Sequence, residues 1–382
     1  MRWSTTRPAV GSILTALLLS LVLVSQVMAA GWSAPIALTN SSNAGPGGGL
    51  VTLGKSIAVA AYENNGRIVV RRSTNSAQTW SSPLRLSDGQ DPAAAGRGTM
   101  VDVAWALNAR IRYARSGNSA KSFAAAVALS PTGLKVTDPS VGRGPNGLVV
   151  VAWLQATRAH CCDAPWTVVA RVSKDGGSTF GPVKVLGTGW EVVAAAGKGV
   201  AYVAFDGLIG GSDPGLVVRR TTDGGATWNE NSFVWPNSEA LRGRDLSLTA
   251  GGKFAYVSYQ DFTLQGPPDD TTVDAFIGYR RTASKGSSWS VARNLTPPGG
   301  PQETTAAISF KAGVVRAAFV RSGEGISFTQ SNDGLAWNAP QQAVAEGPGE
   351  KLILGVGHAT RAVVLYTVWD GGRNVFVVSG TP

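Results

Sequence analysis

The chain has 382 residues, a formal net charge of +10, 43% hydrophobic and 15% charged residues, 48 glycines and two cysteines. The basic residues are scattered, with no basic run or basic helix of the kind that marks a nucleic-acid binder. The two cysteines, Cys161 and Cys162, are adjacent, which excludes a long-range disulfide framework and leaves the hydrophobic core to hold the fold.

Residues 1–30 read as a secretory signal peptide. Arg2 and Arg7 precede an apolar run from Ile13 to Val24, and Val27 and Ala29 are placed for a signal peptidase. The run is short of the ~20 residues a spanning helix needs. Cleavage near Ala29 or Ala30 and an extracellular location are expected. No later segment is long and apolar enough to span a membrane, and 31–382 is expected to be one domain.

The first predicted strand after the leader is WSAPIAL (32–38). A four-strand pattern then repeats. Each unit opens on an apolar stretch behind a polar turn. A second strand follows that ends in an aromatic: AVAAY, VDVAW, VVVAW, AYVAF, AYVSY, VRAAF and AVVLY, with Tyr62, Trp105, Trp153, Phe205, Tyr259, Phe319 and Tyr366. The third strands are RIVVRRS (67–73), RIRYARS (110–116), TVVARVS (167–173), LVVRRTT (216–222), FIGYRRT (276–282) and GISFTQS (325–331). After each of these comes one short motif: STNSAQTW, SGNSAKSF, SKDGGSTF, TTDGGATW, TASKGSSW and SNDGLAW. A Ser or Thr is followed two residues on by Asp, Asn or Ser, which can bond backbone N–H groups ahead of it. Gly permits positive φ, and an aromatic closes the motif. The motif is a stapled hairpin turn between third and fourth strands.

The closing aromatics, with Trp32, recur 43 to 61 residues apart. A last unit, KLILGVG, AVVLY and NVFVVSG, has three strands and no motif. WSAPIAL matches the post-motif strand WSSPLRL and is expected to complete that unit, with Ile36 alongside the strand holding Val377. The expectation is an all-β, seven-bladed propeller of four-stranded antiparallel blades, closed by the N-terminal strand. An open array would leave both ends as exposed strand edges.

The repeated motif resembles the Asp box of the sialidase (BNR-repeat) superfamily, over nearly the whole chain after the leader. The resemblance implies that the box residues, Asp175, Asp223 and Asp333 among them, are structural and peripheral. Sialidases of that superfamily have six blades. They use three arginines, a Tyr–Glu pair and an Asp, with the first arginine in an early Arg-Ile-Pro motif. Here the first arginine after the leader is Arg67, in RIVV, and no such set carries over residue by residue. The chain looks like a sialidase-superfamily propeller that need not be a sialidase, and no catalytic residue, cofactor or metal is assigned.

A ligand site is expected on the face bearing the turns into the first strands and the loops between second and third strands. Asp91, Glu191 and Asp245 each fall fourteen residues before their second-strand aromatic, and Asp138 fifteen. Similar spacing predicts equivalent positions around the channel mouth. Either each carboxylate caps its own turn, or together they form an acidic ring for a cation or a polar ligand, or acid/base pairs for glycoside cleavage. Glu303 and Glu350 stand in the corresponding turns of later units. Long loops in the third to fifth units add His160, Trp166, Asp261 and Phe262, with Trp190, Arg242 and Arg244 beside them. In HCCD, Cys161 and Cys162 could form a vicinal disulfide. A metal site with His160 and Asp163, pairing between chains, and free thiols are the other readings. The expected protein is a monomer that binds a glycan, a peptide or an extracellular protein surface, and the alternative is a sialidase-like exo-glycoside hydrolase. The seven second-strand aromatics are expected in the core.

Overall fold

A computed structural model describes residues 31–39, 43–156, 165–209, 213–234, 245–265, 272–296, 300–345, 351–358, 361–369 and 372–381. Among them every regular element is a strand, and the strands form six hydrogen-bonded sheets. The first holds Ala44–Leu53, Ile57–Asn64, Arg67–Ser73 and Leu84–Asp88, in that order from inside out. The next repeats the pattern with Gln90–Arg97, Met100–Leu107, Arg110–Ser116 and Val127–Ala128. A seven-stranded sheet follows, from Lys135–Arg143 to Asn229–Val234. Its long strand Lys184–Gly197 pairs with Trp166–Ser173 over its first part and with Val200–Ile209 over its second, with a register shift between Gly189 and Glu191. That strand ends one repeat unit and starts the next. Two more four-stranded sheets begin with Ser247–Gly251 and Glu303–Lys311.

The last sheet joins the two ends of the chain. Lys351–His358, Ala362–Trp369 and Arg373–Gly380 take Ile36–Ala37 as their fourth strand, with Ile36 opposite Val377 and Ala37 opposite Phe376. The Ser33 N–H donates to the Ser379 carbonyl and the Leu38 N–H to the Val375 carbonyl, each at 2.8 Å. The N-terminal strand thus closes the last sheet as its sequence match predicts.

The innermost strands touch one another in a closed cycle. Ala44–Leu53 packs on Gln90–Arg97, then in turn come Lys135–Arg143, Lys184–Gly197, Ser247–Gly251, Glu303–Lys311 and Lys351–His358, which returns to Ala44–Leu53. Sheets arranged radially around a central channel make a β-propeller. The approach of neighbouring inner strands excludes side chains at particular points. A Cβ on Gly142 would lie 2.5 Å from the Ala195 Cα, and one on Gly49 would lie 2.7 Å from the Ala94 nitrogen.

Core packing lies between adjacent sheets. Val59, Ala61, Ile68 and Val70 of the first sheet meet Val101, Val103 and Trp105 of the second in one buried cluster. All seven second-strand aromatics, from Tyr62 to Tyr366, are buried, so they are core residues as expected. Burying such a ring contributes ~1.5–3 kcal/mol.

The motif turns have the bonding that their sequence predicts. In 173–180, the Ser173 hydroxyl donates to Asp175 at 2.8 Å, and Asp175 accepts the N–H groups of Ser178 and Thr179 at 3.0 and 2.9 Å. Asp223 does the same with Thr221, Ala226 and Thr227. Those donors, the Thr179 and Thr227 hydroxyls first among them, hold both carboxyls well below the usual carboxylate range. The closing aromatic packs against the preceding unit. Phe180 meets Tyr113 edge-on at 5.0 Å, Trp337 meets Tyr279 at 5.4 Å, and Trp32 meets Phe328 at 5.2 Å.

The closure sets a steric test. A Cβ on Gly380 would lie 2.4 Å from Trp32 Cδ2, inside the buried indole. Gly380→Ala is expected to destabilise the protein by ~1–3 kcal/mol through overpacking. In a Trp32→Ala background the same change costs less, because the clashing ring is gone. Chemical denaturation of the four variants of this cycle measures the difference.

Candidate functional site in the axial channel

The channel is a cavity of about 920 Å³, lined by residues from every innermost strand. Asp91, Asp138, Glu191 and Asp245 all line it. Each stands two residues before the residue that pairs with the neighbour of its second-strand aromatic. Ala93 faces Ala104, Ser140 faces Ala152, Val193 faces Ala204 and Ser247 faces Ser258. By the same rule the equivalent positions elsewhere are Gly47, Thr305 and Ile353. The acids therefore occupy four consecutive inner strands and form an arc, with Thr305 next in line. The lining at the far ends of these strands is basic: Arg97, Arg143 and Lys311.

The backbone explains why short polar residues stand here. The inner strands shift register at this point, between Gln90 and Ala93, Thr137 and Ser140, and Thr304 and Ala306. Asp91, Asp138, Asp245 and Thr305 take φ values of 51°, 46°, 43° and 41°. Asp tolerates the left-handed region better than most L-residues, and a β-branched Thr is strained there. Trp190 is the extra residue at the Gly189–Glu191 shift, and Asp206 accepts its N–H at 3.0 Å and that of Glu191 at 2.6 Å.

Asp91, Glu191 and Asp245 bond the next sector rather than capping their own turn, while Asp138 accepts the hydroxyl of its own neighbour, Thr137, at 3.4 Å. Asp91 accepts the Thr137 hydroxyl at 3.1 Å and a backbone N–H from Asp138. Glu191 Oε1 accepts the Leu246 N–H at 2.8 Å, and Asp245 accepts the Thr305 hydroxyl at 2.9 Å. The second oxygen of Glu191, Oε2, is buried with no hydrogen-bond partner among the described residues.

Enclosure by the channel walls raises Asp91, Asp138 and Glu191. Burial pushes Asp91 up, against the hydrogen bonds from Thr137 and Asp138. Asp138, though open to channel water, is pushed up to about 6, first by burial and then by the Asp91 charge. Glu191 is raised well above the usual carboxylate range, by burial first and then, against the Leu246 N–H, by the charges of Asp206, Asp245 and Asp138. The mouth can hold protons at near-neutral pH, so it offers acceptors and donors side by side.

The other predicted residues are placed differently. Trp166 is half-buried against the cluster around Leu186 and Val168, and Asp261 is buried in its sheet; neither lines the channel. The backbone of Phe262 pairs with Ala275, and its side chain lies outside the described atoms. His160, Cys161, Cys162, Asp163, Arg242, Arg244 and Glu350 lie outside the described residues. Glu303 is buried away from the cavity, where it pairs with Arg321 at 3.2 Å and accepts the Thr296 hydroxyl at 2.5 Å. Thr305, fourteen residues before Phe319, holds the position equivalent to the acids. Asp206 and Thr137 were not singled out in the sequence, because their partners belong to neighbouring strands and sectors.

No family model matches the chain, and no curated protein matches it. Solved structures do. A lectin from Burkholderia pseudomallei aligns with TM-score 0.53 at 13% identity, covering 86% of this chain and 98% of that one. An alpha-L-arabinanase from Penicillium chrysogenum, complexed with arabinobiose, aligns at 0.51 and 14% identity, covering 91% and 98%. An alpha-L-arabinofuranosidase from Fusarium graminearum, in complex with an iminosugar inhibitor, aligns at 0.50 and 13% identity, covering 88% and 92%.

The raised Asp138 carboxyl makes a signed prediction. Its folded value, about 6, lies above the ~3.9 of an unfolded Asp. The folded state thus holds more proton in this window, and stability falls as pH rises from about 4 through about 6. Asp138→Asn removes that slope. Urea denaturation should show the variant gaining on the natural protein between pH 4 and pH 7. With its box turns, buried ring of aromatics and radial sheets, the chain is a β-propeller.

Proposed function

We propose that the protein is exported, loses residues 1–30, and binds a glycan at the acidic end of its axial channel without covalent chemistry. The observation that carries this reading is the arc of Asp91, Asp138, Glu191 and Asp245 at equivalent places on four consecutive inner strands. Ionised carboxylates accept two or more hydroxyls each, and protonated ones also donate, which suits a polyhydroxylated ligand better than an apolar one. The arc is one-sided, so a ligand enters in one orientation. A seven-sector ring is part of the proposal. It divides the seven-stranded sheet within Lys184–Gly197 and is supported by the closed cycle of inner strands. The similar solved structures include a lectin and two proteins named for action on arabinose-containing sugars. They agree with a glycan ligand without selecting one.

One observation favours glycoside hydrolysis as a second reading. Burial first, and then the neighbouring acidic charges, push the Glu191 carboxyl well above its usual range, the asymmetry that separates a general acid from its partner.

A glycan array and a panel of aryl glycosides, sialosides included, test both. Binding on the array is expected, weakened at least about tenfold in Asp138→Asn and in Glu191→Gln, since each loses a charged or buried hydrogen-bonding group. No glycoside turnover is expected. Turnover by the natural protein that Glu191→Gln abolishes would replace binding by hydrolysis.

A further inference from the structure

A second cluster lies on the same face, where the last sheet meets the first. Trp369 is 52% exposed and is the one exposed aromatic among the described residues. It ends the second strand of the last sheet, opposite Arg373 in the hairpin register. The Arg373 guanidinium lies over the indole, 5.8 Å from the ring centroid, and donates no hydrogen bond among the described residues. A parallel bridge ties Arg373 to Asn43, at the entrance to the first sheet.

Glu63 occupies the matching end of the second strand in that first sheet. Its carboxylate folds over the inner strand at Gly45, where a Cβ would lie 2.1 Å from Oε2. It accepts backbone N–H groups from Gly66 and Asp91, feels the Arg373 charge, and is half-buried. Asp91 begins the acidic arc. An exposed ring, a guanidinium and a carboxylate therefore lead from the rim to the channel mouth.

We propose that Trp369, Arg373 and Glu63 form a rim subsite for one neutral pyranose ring of a glycan. The apolar C–H face of a pyranose stacks on the indole, whose other neighbour is the Arg373 cation. The Arg373 guanidinium donors and the remaining Glu63 lone pairs bracket adjacent hydroxyls of that ring. A cation and an anion side by side favour an uncharged sugar over a purely anionic or cationic one. The subsite rests on the glycan-binding reading and extends it from the channel to the rim.

The test uses the full protein. Trp369 oxidation by N-bromosuccinimide is followed by mass analysis of its peptide, with neutral and acidic monosaccharides and oligosaccharides as protectants. Binding of the same sugars is measured in parallel by saturation-transfer NMR. Neutral sugars are expected to protect Trp369. Trp369→Ala and Glu63→Gln should each weaken neutral-sugar binding by about tenfold, in keeping with one stacked ring or one charged hydrogen bond. Arg373→Lys, which keeps the charge but loses the planar fork, should weaken it as well. Binding that Trp369→Ala loses and Asp138→Asn keeps sustains the rim subsite and sinks the channel reading. Binding that Asp138→Asn loses and Trp369→Ala leaves intact overturns the rim subsite alone. No sugar bound or protecting in the natural protein overturns both.

Discussion

Everything in this molecule depends on the pairing of residues near the start of the chain with its last strand. A sheet of three strands at one end and a lone strand at the other would each leave a row of unpaired N–H and C=O groups. Joining Ile36–Ala37 to Arg373–Gly380 pairs both of these strands at once, and the innermost strands form a closed cycle. Side chains reinforce the seam. The Thr39 hydroxyl donates to Asn374 at 3.1 Å and accepts the Val375 N–H at 3.0 Å, and Ser33 accepts the Ser379 N–H at 3.0 Å. The seam is held by ordinary strand pairing plus hydroxyl groups, with no covalent link in the described residues. The rim cluster lies at the same junction, with Trp369 and Arg373 from one hairpin of the last sheet and Glu63 from the first sheet.

Closure crowds the inner strands, and the sector-to-sector bonds follow from that crowding. Ser140 accepts the Ala194 N–H at 2.9 Å, and Ser247 and Thr249 accept the N–H groups of Ile308 and Phe310 at 3.0 and 2.9 Å. Neighbouring innermost strands do not form ladders with one another, so their facing polar groups need side-chain partners. The acids at the mouth belong to this set. At the opposite end Lys311 reaches across to the carbonyls of Thr52 and Gly54, both at 3.1 Å. Arg143 bonds the buried Asp102 of the preceding sheet, which also accepts the Tyr113 hydroxyl, and reaches the Gly176 carbonyl in a box turn at 3.0 Å. Channel and periphery are therefore one hydrogen-bonded fabric.

The architecture was legible in the sequence because its signals are local and repeated. Alternating strands, one aromatic per unit and a turn motif in six spellings each depend only on near neighbours. Even the closure was legible, since WSAPIAL matches WSSPLRL in spelling. The channel acids were found by their spacing, but the donors they bond were not. Thr137, Leu246 and Thr305 lie 46, 55 and 60 residues from the carboxylates they serve. No short-range pattern encodes a contact between sectors. Glu303 shows the opposite failure. It looks like a mouth acid, yet two residues of offset and a strand bulge send it to Arg321 instead. Trp369 escaped notice because the loop beside it is short, and loop length had been the guide to the site.

The bonding at the mouth also separates scaffold from site within single residues. A carboxylate has two oxygens, and only one is needed to hold the neighbouring sector. Glu191 shows the division most clearly: Oε1 takes the Leu246 N–H, while Oε2 is buried beside the channel without a partner among the described residues. An unpaired oxygen in an enclosed place favours the protonated carboxyl, and three further acidic charges push the same way. On the proposed glycan-binding reading, a proton there would supply a donor that a plain carboxylate lacks, and a ligand hydroxyl beside Oε2 would offset the cost of burying it. The left-handed backbone at Asp91 and Asp245 points to the same arrangement, because strain at a channel mouth is tolerated where the carboxylates bond the next sector.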